Sequence, residues 1–136
     1  MAETIFRDIA QRNFNKNFRI DSAGTYGGHS GQKADARMRE AAEQRGYNIT
    51  HLSRKLTIDD FDNFDLLVVM DDENYYNAKN MAYTKSNINK IVKMADYLTK
   101  YTIDHIPDPY YEGKQGFNYV IDLLEDACQG LYDKIK

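Results

Sequence analysis

Hydrophobic residues along this chain of 136 residues recur at two spacings, and each spacing predicts a different element. Apolar positions three or four residues apart are typical of amphipathic helices, whereas alternating or short continuous apolar runs are typical of strands. The predicted helices cover residues 1–13, 34–45 and 116–135, and a further helix opens at residues 71–73. The predicted strands cover residues 18–23, 66–70 and 90–94. Helices and strands therefore alternate along the sequence.

The apolar run at 66–70 indicates the fold class. A strand without a polar face is typical of a parallel sheet that helices cover on both sides. Asp71, Asp72 and Glu73 follow at once, and acidic residues favour the first turn of a helix. We therefore predict one α/β domain over residues 1–136, with three layers and a mainly parallel sheet flanked by helices. Such domains normally begin with a strand, so the first strand is predicted to be missing.

The composition narrows the classes of function. A net charge of -3 with scattered basic residues argues against a nucleic-acid partner, because binding to phosphates needs clustered Lys and Arg. No apolar run approaches the roughly 18 residues of a membrane span, and the pattern of a signal peptide is not found at the start. We expect a cytoplasmic protein without a membrane segment.

The number and spacing of cysteines and histidines argue against a disulfide and a metal site. The one cysteine, Cys128, cannot form an internal disulfide, and the three scattered histidines lack the spacing of a helical metal pair. We therefore expect neither a metal nor a cofactor. Cys128 lies on the apolar stripe of the last predicted helix, where a thiol behaves as a small hydrophobic group and not as a nucleophile.

Residues 107–111 read Pro-Asp-Pro-Tyr-Tyr, and this motif indicates a chemistry. A proline on each side restricts the backbone around Asp108. Two tyrosines follow, so the arrangement predicts an acid that protonates an aromatic leaving group. For Asp108 alone, a solvated carboxylate in a turn is the alternative interpretation.

Five separated segments together resemble the low-molecular-weight protein tyrosine phosphatases, in order and across almost the whole chain. They are residues 1–6 (MAETIF), 20–25 (IDSAGT), 51–57 (HLSRKLT), 64–74 (FDLLVVMDDEN) and 107–111 (PDPYY). In that family a central strand and a phosphate-binding loop of Cys, five residues, Arg, Ser and Pro come before the first segment. The resemblance implies that the chain begins one residue after that Pro and is N-terminally truncated.

The resemblance also implies a role for each matched residue. The family's Cys thiolate attacks phosphorus and forms a phosphocysteine intermediate, and Asp108 would protonate the departing phenolate. The substrate would be a phosphotyrosine protein or an aryl phosphate. By position, the residues that line the substrate would be Tyr110, Tyr111 and Tyr26, and those that support the phosphate loop would be Ser22 and His51.

The missing segment has two expected consequences. Without the nucleophile and the Arg, residues 1–136 are predicted to be inactive by themselves. Without the central strand, its neighbours would carry unpaired backbone groups, so we expect the sheet to rearrange, or to pair or swap strands with a second copy. We favour a misassigned start or a shortened protein as the origin, with a natural pseudo-enzyme as the alternative.

Three other classes of protein stay open. One is a non-catalytic interaction module on the same scaffold. Arsenate reductases share the fold, but they shuttle a disulfide between additional cysteines, and Cys128 is alone. A receiver domain would explain Asp71 and Asp72 after a buried strand, but the Thr or Ser and the Lys that it needs after later strands are not found.

Overall fold

The computed structural model describes residues 1–25, 30–110 and 113–136. The helices of this part are α1 (Ala2–Arg12), α2 (Ala36–Glu43), α3 (Asp59–Asn63), α4 (Asp72–Met81), α5 (Lys85–Ile88) and α6 (Gly113–Ile135). The strands are β1 (Leu67–Val69) and β2 (Ile91–Lys93), and a 3₁₀ turn, Met94–Tyr97, follows β2. The predicted α/β class is confirmed.

The long helix α6 forms the centre of the larger hydrophobic core. The apolar faces of α1 and α2 both pack on it, as does the 3₁₀ turn. Fully burying one large apolar side chain contributes about 1.5–3 kcal/mol, so this stripe is a major source of stability. The buried apolar residues of α6 are Phe117, Val120, Ile121, Leu123, Leu124, Ala127, Cys128, Leu131 and Tyr132.

The segment around β1 lies between two layers of helices. Leu67 and Val69 pack with side chains of α3 and α4 in a smaller core, whereas Leu66, Val68 and Met70 pack against the larger core. Successive strand residues point to opposite faces, so both faces of this sheet are covered. In the described part of the chain β1 pairs with β2 in parallel. The predicted three-layer arrangement with a parallel sheet is confirmed.

Residues 18–23 do not form a strand, so this prediction is wrong. The alternation is present, since Phe18 and Ile20 pack against the larger core and the Phe18 ring meets the Phe6 ring edge-on at 5.4 Å between centroids. A strand also needs a hydrogen-bonded neighbour, and within the described ranges the backbone of 18–23 pairs with none. Backbone pairing begins at Gly24, whose N–H donates to the Arg54 carbonyl at 2.8 Å. Pairing with a second copy stays a prediction.

The segment after β2 lies close against α6. Asp126 of α6 is buried and accepts hydrogen bonds from the Thr99 N–H at 2.9 Å, the Thr99 hydroxyl at 2.6 Å and the Lys100 N–H at 2.8 Å. Burial alone would raise the pKa of Asp126, but these donors outweigh it and hold the pKa below its ordinary value.

One turn further along α6, a Cβ at Gly130 would lie 2.1 Å from the Tyr97 carbonyl oxygen.

Gly130→Ala is expected to destabilise the protein, although alanine normally stabilises a helix interior by about 1 kcal/mol relative to glycine. The added methyl group would meet backbone and not a flexible side chain, so α6 and the 3₁₀ turn must separate. We expect the free energy of unfolding, measured with urea, to fall by about 1–3 kcal/mol.

Gln129→Ala is the matched control, because Gln129 is an exposed neighbour in the same helix. It should change the free energy of unfolding by less than about 0.5 kcal/mol. A Gly130→Ala protein as stable as this control would show that the two backbones do not lie so close.

Candidate active site

The loop that carries Asp108 returns to the carboxyl end of β1. The N–H of Ile106 donates to the carbonyl oxygen of Met70 at 2.7 Å, directly after β1. Ile106 and Pro109 are both buried, whereas Asp108 between them is exposed. The carboxyl ends of parallel strands are where open α/β sheets bind their ligands. The structure therefore exposes the predicted acid to solvent at the edge of the sheet where such folds bind their ligands.

Asp108 and Tyr110 are joined within this loop. The backbone N–H of Tyr110 donates to Asp108 Oδ1 at 3.0 Å, which is the geometry of an Asx turn. Tyr110 is 54% exposed. The structure thus places the predicted acid next to a tyrosine that was predicted to line the substrate.

Ser22 and His51 both contact the same residue, Glu3, in the first turn of α1. The Ser22 hydroxyl donates to Glu3 Oε1 at 2.8 Å, and His51 Nδ1 lies 3.4 Å from Glu3 Oε2. The Glu3 side chain is 8% exposed and also accepts from Arg7 at 3.1 Å. Glu3 was missed in the sequence, where its position in the first turn of a predicted helix was the available signal.

The two segments that carry the Ser22 and His51 side chains are held together by Arg54. Its guanidinium binds both carboxylate oxygens of Asp60, at 3.0 and 2.9 Å, and Asp21 at 3.1 Å. Burial alone would raise the pKa of Asp60, but the hydrogen bonds from Arg54 and from the Thr57 N–H hold it below its ordinary value. This charged contact fixes residues 20–25 beside residues 51–57.

A cavity of about 270 Å³ opens beside Ser22 and His51. Two of the residues that line it, Ser22 and His51, contact Glu3 in the first turn of α1, and the N-terminal end of a helix favours bound anions. Within residues 1–25, 30–110 and 113–136, no three His, Cys, Asp or Glu side chains come together as metal ligands would. The residues that line the cavity are Ser22, Ala23, Gly24, Ala34, His51 and Ser53.

The predicted site residues fall into two groups in the structure. Asp108 and Tyr110 form one group, and Ser22 and His51 form the other around Glu3. No hydrogen bond or ion pair in the described part of the chain joins Asp108 to Ser22 or His51. The two remaining predictions, Tyr26 and Tyr111, lie outside the described residues.

Cys128 is part of the core, as the sequence predicted. It is 0% exposed on α6, and its Sγ lies 3.9 Å from the carbonyl oxygen of Ala2. Burial raises the pKa of the Cys128 thiol to about 12. A thiol in this environment stays protonated at neutral pH and is not a nucleophile.

The comparisons with known proteins agree on one family. The profile of the low molecular weight phosphotyrosine protein phosphatases matches residues 1–136. A crystal structure of a protein tyrosine phosphatase from Entamoeba histolytica superposes with a TM-score of 0.95 at 41% identity, and the match covers 98% of this chain and 86% of that chain.

Two relatives extend the match in sequence. YfkJ, a low molecular weight protein-tyrosine-phosphatase of Bacillus subtilis, is 33% identical over 138 residues, which cover 100% of this chain and 86% of that protein. The low molecular weight phosphotyrosine protein phosphatase of Schizosaccharomyces pombe is 33% identical over 137 residues, with 99% and 87% covered. The chain therefore belongs to the low molecular weight phosphotyrosine protein phosphatase family.

This family assignment confirms the resemblance seen in five sequence segments. It favours that interpretation over a receiver domain or an arsenate reductase. Among the helices of the described ranges, none combines the length and the hydropathy that crossing a membrane requires.

A double-mutant cycle on Glu3 and Ser22 tests the buried cluster. We expect Glu3→Gln, Ser22→Ala and the double variant, unfolded with urea, to give a coupling energy of about 1 kcal/mol or more, because the hydrogen bond joins a hydroxyl to a largely buried carboxylate. The exposed pair Asp8 and Arg12 on the same helix is the control, with an expected coupling of about 0.3–0.5 kcal/mol. Equal couplings for the two pairs would contradict the assignment.

The thiol of Cys128 is expected to resist Ellman's reagent at about pH 8 in the folded protein. Its raised pKa keeps the thiol protonated, and its burial excludes the reagent. Unfolding in guanidinium chloride should restore an ordinary cysteine, with a pKa of about 8.5, and release one equivalent of product. Rapid labelling of the folded protein would show that Cys128 is accessible.

Proposed function

We propose that this chain contributes to the hydrolysis of phosphotyrosine through a phosphocysteine intermediate, with Asp108 as the general acid. The observation that carries the proposal is the position of Asp108, which the bond from Ile106 to Met70 fixes at the carboxyl end of β1. The names of the relatives give phosphotyrosine as their substrate, and the family assignment supports the same substrate here.

The proposed reaction has two steps. A cysteine thiolate forms a bond to phosphorus while the bond from phosphorus to the phenolic oxygen breaks, and Asp108 gives its proton to the leaving phenolate. The ionised Asp108 then takes a proton from water as that water attacks phosphorus. The sulfur–phosphorus bond breaks, which releases inorganic phosphate and restores the thiolate.

The other site residues receive roles from their positions. Tyr110 lines the substrate ring beside the acid, and Tyr111 and Tyr26 are proposed to line the substrate as well. Ser22 and His51 support the phosphate-binding loop through the cluster that they form with Glu3 at the first turn of α1.

Residues 1–136 supply the acid of this reaction and not its nucleophile. The one cysteine among them, Cys128, is buried in the core with its pKa raised to about 12. General acid catalysis contributes about 10²–10⁴ in rate and cannot replace covalent catalysis. A protein that consists of these residues alone is therefore proposed to have no phosphatase turnover.

Two proteins test the proposal: residues 1–136, and the same residues fused behind a strand and a phosphate-binding loop of the family pattern, Cys, five residues, Arg, Ser and Pro. We expect no turnover of p-nitrophenyl phosphate by the first and hydrolysis of a phosphotyrosine peptide by the second. In the fused protein, Asp108→Asn should lower kcat on the peptide by about 10²–10⁴, because the leaving phenolate is no longer protonated.

Asp104→Asn in the fused protein is the matched control. Asp104 lies in the same loop, but its side chain is 96% exposed and pairs with His105. It should leave kcat within about twofold of the parent. Turnover by residues 1–136 alone, or equal losses from the two aspartate variants, would contradict the proposal.

A further inference from the structure

Arg37, in the first turn of α2, lies against two aromatic rings. Its guanidinium carbon is 5.1 Å from the centroid of the Tyr110 ring and 4.8 Å from the centroid of the Phe117 ring. Both distances are within the range of about 6 Å at which a guanidinium attracts an aromatic face. Phe117 belongs to α6 and is 2% exposed, so one of the two rings is fixed in the core.

Asp35 fixes the orientation of the guanidinium. It is the N-cap residue of α2, and its Oδ1 accepts from the Arg37 backbone N–H at 2.8 Å. The two carboxylate oxygens also accept from Arg37 Nε and Nη2, at 3.2 and 2.9 Å. A planar guanidinium that binds both oxygens of one carboxylate has a defined plane. The N-cap residue of α2 therefore sets the orientation in which the Arg37 guanidinium stacks on the Tyr110 ring.

We propose that Arg37 is a positioning residue, which holds the ring of Tyr110 and, through the Tyr110 N–H, the carboxylate of Asp108. The inference rests on the proposed function, because Asp108 must be the acid for its position to affect turnover. The contacts run without a gap from Phe117 in the core through Arg37 and Tyr110 to Asp108.

The acid is thereby held on both sides. Before Asp108, the buried Ile106 ties the loop to the end of β1, and after it Arg37 ties Tyr110 to α2 and α6. A catalytic group that is already oriented loses little conformational freedom when substrate binds, and this preorganisation lowers the barrier. The same contact keeps the Tyr110 ring ready to line a substrate ring.

The order parameter of the Tyr110 backbone amide, measured by NMR on residues 1–136, tests the structural half of the inference. We expect a value of about 0.85 in the parent and below about 0.6 in Arg37→Met. Arg37→Lys should resemble Arg37→Met, because an ammonium group keeps the charge but lacks the planar fork.

Arg39→Met is the matched control, with the same substitution two residues along the same helix. The Arg39 Nε donates to the Ala34 carbonyl oxygen at 3.0 Å. We expect the order parameter of the Tyr110 amide to stay at about 0.85 in this variant. An unchanged Tyr110 order parameter in Arg37→Met, or an equal fall in the Arg39 variant, would overturn the inference.

Turnover of a phosphotyrosine peptide by the fused protein tests the functional half. Arg37→Met should lower kcat by about threefold to tenfold in the parent and by less than about twofold once Asp108→Asn is present, because Arg37 acts through the acid. Equal losses in both backgrounds would overturn the positioning role. A fused parent without turnover would contradict the proposed function instead, and the order parameters would still decide whether Arg37 holds the loop.

Discussion

The burial of one face of α6 is the constraint on which the other helices and loops depend. α1 and α2 pack their apolar faces against it, and the 3₁₀ turn approaches it so closely that a Cβ at position 130 would collide with the Tyr97 carbonyl oxygen. Polar contacts add to the apolar ones. Arg45, just after α2, binds Asp122 at 2.6 Å and Glu125 at 2.7 Å, and the Tyr47 hydroxyl donates to Glu125 at 2.8 Å. Because α2 is fixed in this way, the residues at its start have a fixed position too.

The candidate site is an outcome of that packing. One backbone bond, from the Ile106 N–H to the Met70 carbonyl, joins the acid loop to the sheet, and the start of α2 meets the same loop from the other side. The first turn of α1 places Glu3 where Ser22 and His51 reach it. In each case a side chain or loop of the candidate site is held in position by an element that the two hydrophobic cores stabilise.

Local signals made part of this structure predictable from sequence. The apolar stripe of α6 and the run before Asp71 gave correct elements, and Asp71 caps α4 by accepting from the Asn74 N–H at 2.8 Å. Asp108 was predicted to be the acid because its prolines and Tyr110 are its immediate neighbours in sequence. The strand at 18–23 was predicted wrongly, since a strand depends on a partner that local alternation does not specify.

The difference between local signals and distant partners also explains the residues that were missed. The Glu3 carboxylate meets a hydroxyl 19 residues away, and Arg37 meets rings that lie in a distant loop and in α6. A sequence shows an acid in a first helical turn, or an Asp two residues before an Arg, and both patterns are satisfied by helix capping alone. Their place beside candidate site residues follows from tertiary packing.

The central claim is that Asp108 protonates the leaving group, and the dependence of kcat/KM on the leaving group tests it most directly. The measurement uses the fused protein and a series of aryl phosphates from nitrophenyl to phenyl phosphate. With Asp108 present the dependence should be shallow, because proton transfer offsets the poorer leaving group. With Asp108→Asn it should become steep, and the loss should be largest for phenyl phosphate, whose phenol has a pKa of about 10. The same slope in both proteins would contradict the account.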